Sequence, residues 1–121
     1  MNTDRKPQVY RDVIDGMVQA CKHGQGQIGP ERAKAGVWNQ NATEESIPEQ
    51  HEINLLLSRL SADDRRIVAG MLEEAFSGGV FEALKVLEEF EIEPFRDGYE
   101  GSPYHDFIGR LELPDWEWPK S

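Results

Sequence analysis

The sequence predicts an all-α chain: a single-domain bundle of about five helices with an irregular, aromatic-rich C-terminal segment packed on it. Three observations carry this. Apolar residues recur at helical spacing in several separate stretches, caps and breakers fall between those stretches, and strand signals are nearly absent. The 121 residues match the size of one domain and suffice to bury one core.

Residues 7–22 form the first expected helix. Pro7 suits a first helical position. Tyr10, Ile14, Met17 and Cys21 fall on one face, and Val9 and Val13 widen it. His23 and Gly24 close it, with Gly24 as a left-handed cap. Residues 23–47 carry little periodicity. They read as a mobile loop, or as an arm that packs on a neighbouring subunit through a stretch that includes Trp38; residues 30–35, closed by Gly36, are the one place there for a short helix.

Residues 48–60 form the next helix, with Ile53, Leu56, Leu57 and Leu60 on one face. Ser61 then caps a third, and Asp63 and Asp64 favour its positive end. Its stripe is Ile67, Val68, Met71, Leu72, Ala75 and Phe76, flanked by Gly70, where another helix can approach closely. Gly78-Gly79 reads as a stop. Residues 80–90 are apolar nearly all round, which predicts the central helix, paired with its predecessor as an antiparallel hairpin. The second to fourth helices are thus expected to form the core. A short fifth helix follows, capped by Ser102, started by Pro103, and buried through Tyr104, Phe107, Ile108 and Leu111. EIEPF and ELPDWEW alternate like strands, but their prolines demote them to edges or coil.

Residues 91–119 hold six of the eleven aromatics and four of the seven prolines. Such a segment is too apolar for a disordered tail and too broken for one long helix. Residues 112–121 read as an extended tail, on which Trp116 and Trp118 face the same side. Either the two indoles clamp the C-terminus onto the bundle, or they anchor a partner.

Charge narrows the function. Residues 1–43 carry six basic and four acidic side chains, residues 44–121 seven and nineteen, for a net charge of −10. An acidic body repels phosphate backbones and anionic membrane surfaces, so neither nucleic acid nor membrane is an expected partner. It steers in basic proteins or serves solubility alone. No apolar run exceeds three residues and the N-terminus has no apolar signal region. With one cysteine, Cys21, no internal disulfide can form, and a cytoplasmic setting is expected.

No motif spells out a reaction. Gly24, Gly26 and Gly29 match G-x-G-x-x-G but follow a helix instead of a strand, so a flexible linker explains them better than a phosphate cradle. His23, His51 and His105 are scattered, and Asp97-Gly98-Tyr99-Glu100 lacks the other oxygens of a calcium loop, so no metal and no cofactor are expected. Glu73, Glu74, Glu88 and Glu89 read as outward-facing charge. His105-Asp106 is the best catalytic pair, since a carboxylate can orient a histidine base; against it, neighbours on a helix point apart, and Asp106 suits the helix dipole. Cys21, on an apolar face, reads as a buried inert thiol.

The run EPFRDGYEGSPYHDFIGRLELPDWEWP, with LSADDRRIVAGMLEEAFSGGVFEALKVLEEFEIEPF before it, resembles a small bacterial family of uncharacterised proteins over roughly residues 52–119. The resemblance does not reach the first 45 residues. It implies a bacterial, cytoplasmic context and carries over no activity and no site residue. The reading favoured is a non-enzymatic, acidic protein-interaction module, of inhibitor, immunity-type or dimeric accessory kind. Its partner is a basic protein or a second copy in a homodimer, met through Trp116, Trp118, Trp38, Tyr99 and Tyr104. The alternative is a small enzyme or ligand-binding domain with a pocket around Tyr99, Tyr104 and His105.

Overall fold

The computed structural model describes residues 6–119. Its helices are α1 (Gln8–His23), α2 (Gln25–Ala35), α3 (Pro48–Arg59), α4 (Ala62–Glu89) and α5 (Pro103–Glu112). Among the described residues there is no strand, only an isolated antiparallel bridge between Gly98 and Gly101. The all-α class expected from the sequence is therefore what the chain adopts.

The largest departure from expectation is α4. It runs unbroken for 28 residues, about 42 Å, straight through Gly78-Gly79. The expected stop and hairpin are absent. A glycine in a helix interior costs about 1 kcal/mol relative to alanine, which is a local penalty only. Here Phe76, Val80, Leu84 and Leu87 pack into one apolar cluster at helical spacing across both glycines. Burial of those side chains, each worth about 1.5–3 kcal/mol when complete, outweighs the glycine penalty. Ser61 caps the start as expected, its Oγ accepting from the Asp64 N–H at 3.1 Å.

Two apolar clusters lie along α4. The larger joins Tyr10, Ile14, Val18 and Cys21 of α1 to Leu84 of α4, Phe107 of α5 and Phe95 of the connecting loop. The smaller joins Ala33 of α2, Leu57 of α3 and Ala69 of α4, with Trp38, Ile53, Leu60, Val68 and Leu72 around it. The expected core of the second to fourth helices is thereby corrected. The larger cluster is built by α1, the C-terminal half of α4 and α5, while α3 adds a single buried residue, Leu57, and leaves Leu55 and Leu56 exposed. On α1, Val18 is buried where Met17 is only partly so, and Val9 is out in solvent.

Residues 23–47 are also corrected. The α2 helix begins at Gln25, not at Pro30, and Gly24 is not left-handed, with φ −123°. The short link from α1 to α2 lets α2 pack back on α1 and α4. The G-x-G-x-x-G run is the means, not a linker: a Cβ on Gly26 would lie 2.8 Å from the Phe76 ring and 2.9 Å from the Cys21 backbone. Gly36 does adopt the left-handed cap, φ +80°, with the Arg65 guanidinium against it. Arg65 also donates to the Leu57 carbonyl at 2.9 Å, tying the ends of α2 and α3 to α4. The connection after α2 is pinned to α3 of its own chain. Asn54 Oδ1 accepts from the N–H groups of Trp38 (2.6 Å) and Asn39 (3.1 Å), and its Nδ2 donates to the Asn39 carbonyl.

Continuity of α4 is open to direct measurement. The amides of residues 78–82 should exchange with solvent as slowly as those of the turns on either side. Fast exchange confined to these amides would mean a turn and not a helix. In addition, Gly70→Ala, where a Cβ meets nothing within 4 Å, should raise stability by about 0.5–1 kcal/mol in a chemical denaturation.

Candidate functional site

The residues singled out at the C-terminal end converge, but as a structural knot. Asp106, in the first turn of α5, is fully buried. It accepts hydrogen bonds from the Tyr10 hydroxyl (2.6 Å), the Tyr99 N–H (2.8 Å) and the Glu100 N–H (2.8 Å). A buried carboxylate needs such charge-assisted partners, and its place at a helix N-terminus adds to them. One side chain thus joins α1, the loop of residues 97–102 and α5. The loop closes tightly over it: a Cβ on Gly98 would lie 2.7 Å from Asp106 Oδ2 and from the Ser102 backbone. Ser102 does not cap α5 with its hydroxyl, as expected; its Oγ donates to Glu88 Oε1 at 2.9 Å, leaving the loop linked to α4.

Around the knot is an aromatic and cationic layer. The Tyr99 hydroxyl accepts from the Lys6 N–H (3.0 Å) and from Arg11 Nη2 (2.7 Å). Lys6 also bridges to Asp97. Trp118 packs against Tyr10 (6.0 Å between centroids) and Tyr99 (5.7 Å), and its Nε1 donates to Asp15 at 3.1 Å. The other Asp15 oxygen accepts from Arg110 at 2.9 Å, and Arg110 donates to the Trp116 carbonyl at 2.6 Å. The two indoles do share a side, edge to face at 5.0 Å, with the Arg110 guanidinium 5.6 Å from each. Trp116 lies over Gly109, where a Cβ would meet its ring nitrogen at 2.7 Å. Both tryptophans are half-buried, so the geometry is that of a clamp. Glu112 of the expected tail belongs to α5, residues 113–119 are irregular, and residues 120 and 121 lie outside the described residues.

The remaining candidates scatter. His105 is exposed and stacks on Tyr104 at 4.5 Å, while Tyr104 packs on Phe81 of α4 at 4.6 Å. Because Asp106 points into the core and its oxygens serve Tyr10, Tyr99 and Glu100, it does not orient His105. Trp38 is half-buried over Gly29 with the Arg32 guanidinium 5.8 Å from its ring, 3.3 Å separating a Gly29 Cβ from the indole. Sizeable clefts lie away from Tyr99 and His105: one of about 400 Å³ at Trp38 and residues 39–41, another of about 370 Å³ beside Cys21, Glu73 and Glu74. Cys21 is buried, and burial pushes its thiol up, away from the reactive thiolate. Among the described residues no cluster of three or more His, Cys, Asp or Glu side chains is placed to hold a metal. No described helix is long and apolar enough to cross a membrane.

What the sequence reading missed is on the outside of α4. Ile67 (58% exposed), Met71 (64%), Val86 (50%) and Phe90 (70%) leave half or more of their surface in water. The first two belong to the stripe expected to be buried, the others to the helix expected to be central. Ala75, Gly78, Gly79 and Ala83 between them are exposed too, and the charged side chains of Glu74, Glu82, Lys85 and Glu89 are interleaved with them along α4.

The knot gives three checks. Asp106→Asn replaces an acceptor-only carboxylate by a group with its own donor, and should cost about 3 kcal/mol in denaturant titration. Trp118→Ala should cost a similar amount, about 3 kcal/mol, by removing an indole from the larger cluster. Burial, then the bond to Asp106, hold the Tyr10 hydroxyl far above its ordinary value. The unfolded chain gives up that proton near pH ~10, the folded chain only at higher pH. This share of stability is therefore complete below pH ~10 and declines above it by up to about 1.4 kcal/mol per pH unit. Tyr10→Phe should be less stable at neutral pH by about 1–3 kcal/mol yet lose stability less steeply in alkali. An unchanged alkaline slope would mean that Tyr10 is not held neutral in the folded chain.

Comparison with known proteins gives one assignment. No curated protein and no solved structure matches the chain. A family model described as "Family of unknown function (DUF6547)" matches residues 3–120, taking in the N-terminal third as well as the C-terminal run. The knot at Asp106, the tryptophan clamp and the open face of α4 are therefore features of a chain that belongs to the DUF6547 family of unknown function.

Proposed function

We propose that this chain is a non-enzymatic, acidic protein-interaction module, a single-domain helical bundle that docks on another protein through the outer face of α4. The observation that carries the reading is the exposure of Ile67, Met71, Val86 and Phe90 along one helix. Leaving such a face in water forgoes the burial that stabilises every other helix, a cost that a partner would recover. The acidic surplus after residue 43 favours a basic partner approaching from a distance, and does not oppose a second copy once apolar surfaces meet. An inhibitor, an immunity-type protein and a dimeric accessory protein all fit this description. The tryptophans contribute by holding the C-terminus against α1 and α5, so that the bundle presents α4 as a rigid rod. The pocket around Tyr99, Tyr104 and His105 gains no support, because Tyr99 is engaged by Arg11 and Asp106 by its three donors.

The test compares the wild-type chain with Met71→Glu/Phe90→Glu, each immobilised and challenged with free wild-type chain and with an extract of its source cells. The wild type should retain protein, itself or another, and the variant roughly tenfold less or lower, with the same far-ultraviolet dichroism. Equal retention on both, or none on either, overturns the reading. So does a small molecule found bound to the purified protein by native mass spectrometry.

A further inference from the structure

The connection between α2 and α3 is fixed from several sides. Asn54 of α3 engages the N–H groups of Trp38 and Asn39 and the Asn39 carbonyl. Asn39 Nδ2 donates to Gln50 Oε1 at 2.7 Å, and Asn39 Oδ1 accepts from the Asn41 N–H at 2.9 Å. Trp38 lies half-buried over Gly29. This frame displays a cleft of about 400 Å³ lined by Arg32, Val37, Trp38, Asn39, Gln40 and Asn41. Among the described residues the Arg32 guanidinium has no hydrogen bond and no ion pair; its contact is the Trp38 ring, 5.8 Å away. The side-chain amides of Gln40 and Asn41 are likewise without partners among the described residues. No lining residue is acidic, although the chain has 23 Asp and Glu. Glu31, next to Arg32 in the chain, pairs instead with Lys34 at 3.5 Å.

We propose that this cleft binds the C-terminal end of a partner polypeptide whose last residue is aromatic or otherwise apolar. Arg32 offers a planar fork of N–H donors that matches one carboxylate bidentately. A single cation balances a carboxylate and leaves a phosphate dianion half compensated. Trp38 and Val37, the latter 45% exposed, form an apolar wall beside the fork. In a terminal residue the carboxylate and the side chain leave the same Cα, so both reach a guanidinium and an indole only 5.8 Å apart. An internal Asp or Glu carries its carboxylate alone at the end of an arm and leaves the indole uncovered. The carboxamides of Gln40 and Asn41 each hold a donor and an acceptor, the complement of a peptide group. Charge agrees with this placement. Residues 1–43 carry six basic and four acidic side chains, so the cleft lies in the part of the chain that does not repel an incoming carboxylate. The frame is ordered in the free chain, which lowers the entropy lost on binding. No residue of α4 lines the cleft, so binding here and docking on α4 are separate properties of the chain.

The test titrates the full chain with acetyl-Gly-Gly-Phe as its free acid, with the same peptide as its C-terminal amide, with acetyl-Gly-Gly-Gly acid and with phenylacetate. Nitrogen–proton correlation spectra follow the Arg32 Nε–H and the carboxamide N–H groups of Gln40 and Asn41. The Phe-ended acid should shift these signals saturably, with a dissociation constant on the order of 1 mM or tighter. The amide and the Gly-ended acid should each bind roughly tenfold more weakly. Arg32→Gln, at an exposed position, should keep the far-ultraviolet dichroism and lose affinity for the Phe-ended acid by roughly tenfold or more. Lys34→Gln removes the same charge from α2 outside the cleft and should leave binding unchanged. Equal binding of acid and amide, or of wild type and Arg32→Gln, overturns Arg32 as the carboxylate receptor. Phenylacetate bound as tightly as the peptide overturns a polypeptide end as the ligand. No saturable shift with the Phe-ended acid overturns the site.

Discussion

The constraint on which the rest of this structure depends is that one helix serves two cores. The first half of α4 backs the cluster of Ala33, Leu57 and Ala69, and its second half backs the cluster around Tyr10, Ile14 and Phe107. Neither cluster has another element in common with comparable reach. If α4 bent at Gly78-Gly79, the spacing of Phe76, Val80, Leu84 and Leu87 would lose its phase and the α1–α5 side would separate from the α2–α3 side. The helix is therefore kept straight by packing on one side only, which is why its opposite side can stay open. Two glycines in its middle are tolerated because the loss at each is local while the burial is spread over about three turns.

A second constraint closes the chain on itself. Among the described residues Asp106 has no direct cationic partner and is held by one phenol and two backbone N–H groups. Removing a charge from water is expensive unless every lone pair is engaged, so the loop over it has a narrow range of shapes. That requirement explains Gly98, whose missing Cβ leaves room for the carboxylate, and it fixes Tyr99 where Arg11 and Trp118 can reach it. Asp15 does the corresponding work one layer out, joining Arg110 and Trp118. The aromatic C-terminal segment is thus consumed in holding α1 to α5.

The helix class, the start of α4 at Ser61, the Pro-started helices at Pro48 and Pro103, and the buried faces of α1 and α5 were legible in the residues. They follow from local chemistry: capping, the fixed φ of proline, and a period that puts Tyr10, Ile14 and Cys21 on one side. Errors came where local signals compete with distant ones. Gly-Gly is a stop by propensity and became mid-helix by packing. Residues 25–29 lack an apolar stripe, yet they are helical because Gly26 and Gly29 let Phe76 and Trp38 approach. His105 and Asp106 were readable as neighbours that point apart, but not as one exposed and one wholly enclosed group.

By itself the sequence determined an acidic, all-α chain with one thiol, no described helix apolar enough to span a bilayer, and an aromatic C-terminal segment that must pack on something. Periodicity and composition set those outcomes, because each depends on residues a turn or two apart. Only the tertiary structure decided which apolar residues are inside. A helix that is apolar nearly all round has two candidate faces, and nothing within it ranks one over the other. The choice fell to α1, α2 and α5, which cover Phe76, Val80 and Leu84 and leave Ile67, Met71, Val86 and Phe90 in water. The same holds for Asp106 and the tryptophans: their roles are set by Tyr10 and Asp15, about ninety to a hundred residues away along the chain, and contacts at that separation are written in the fold and not in any local pattern.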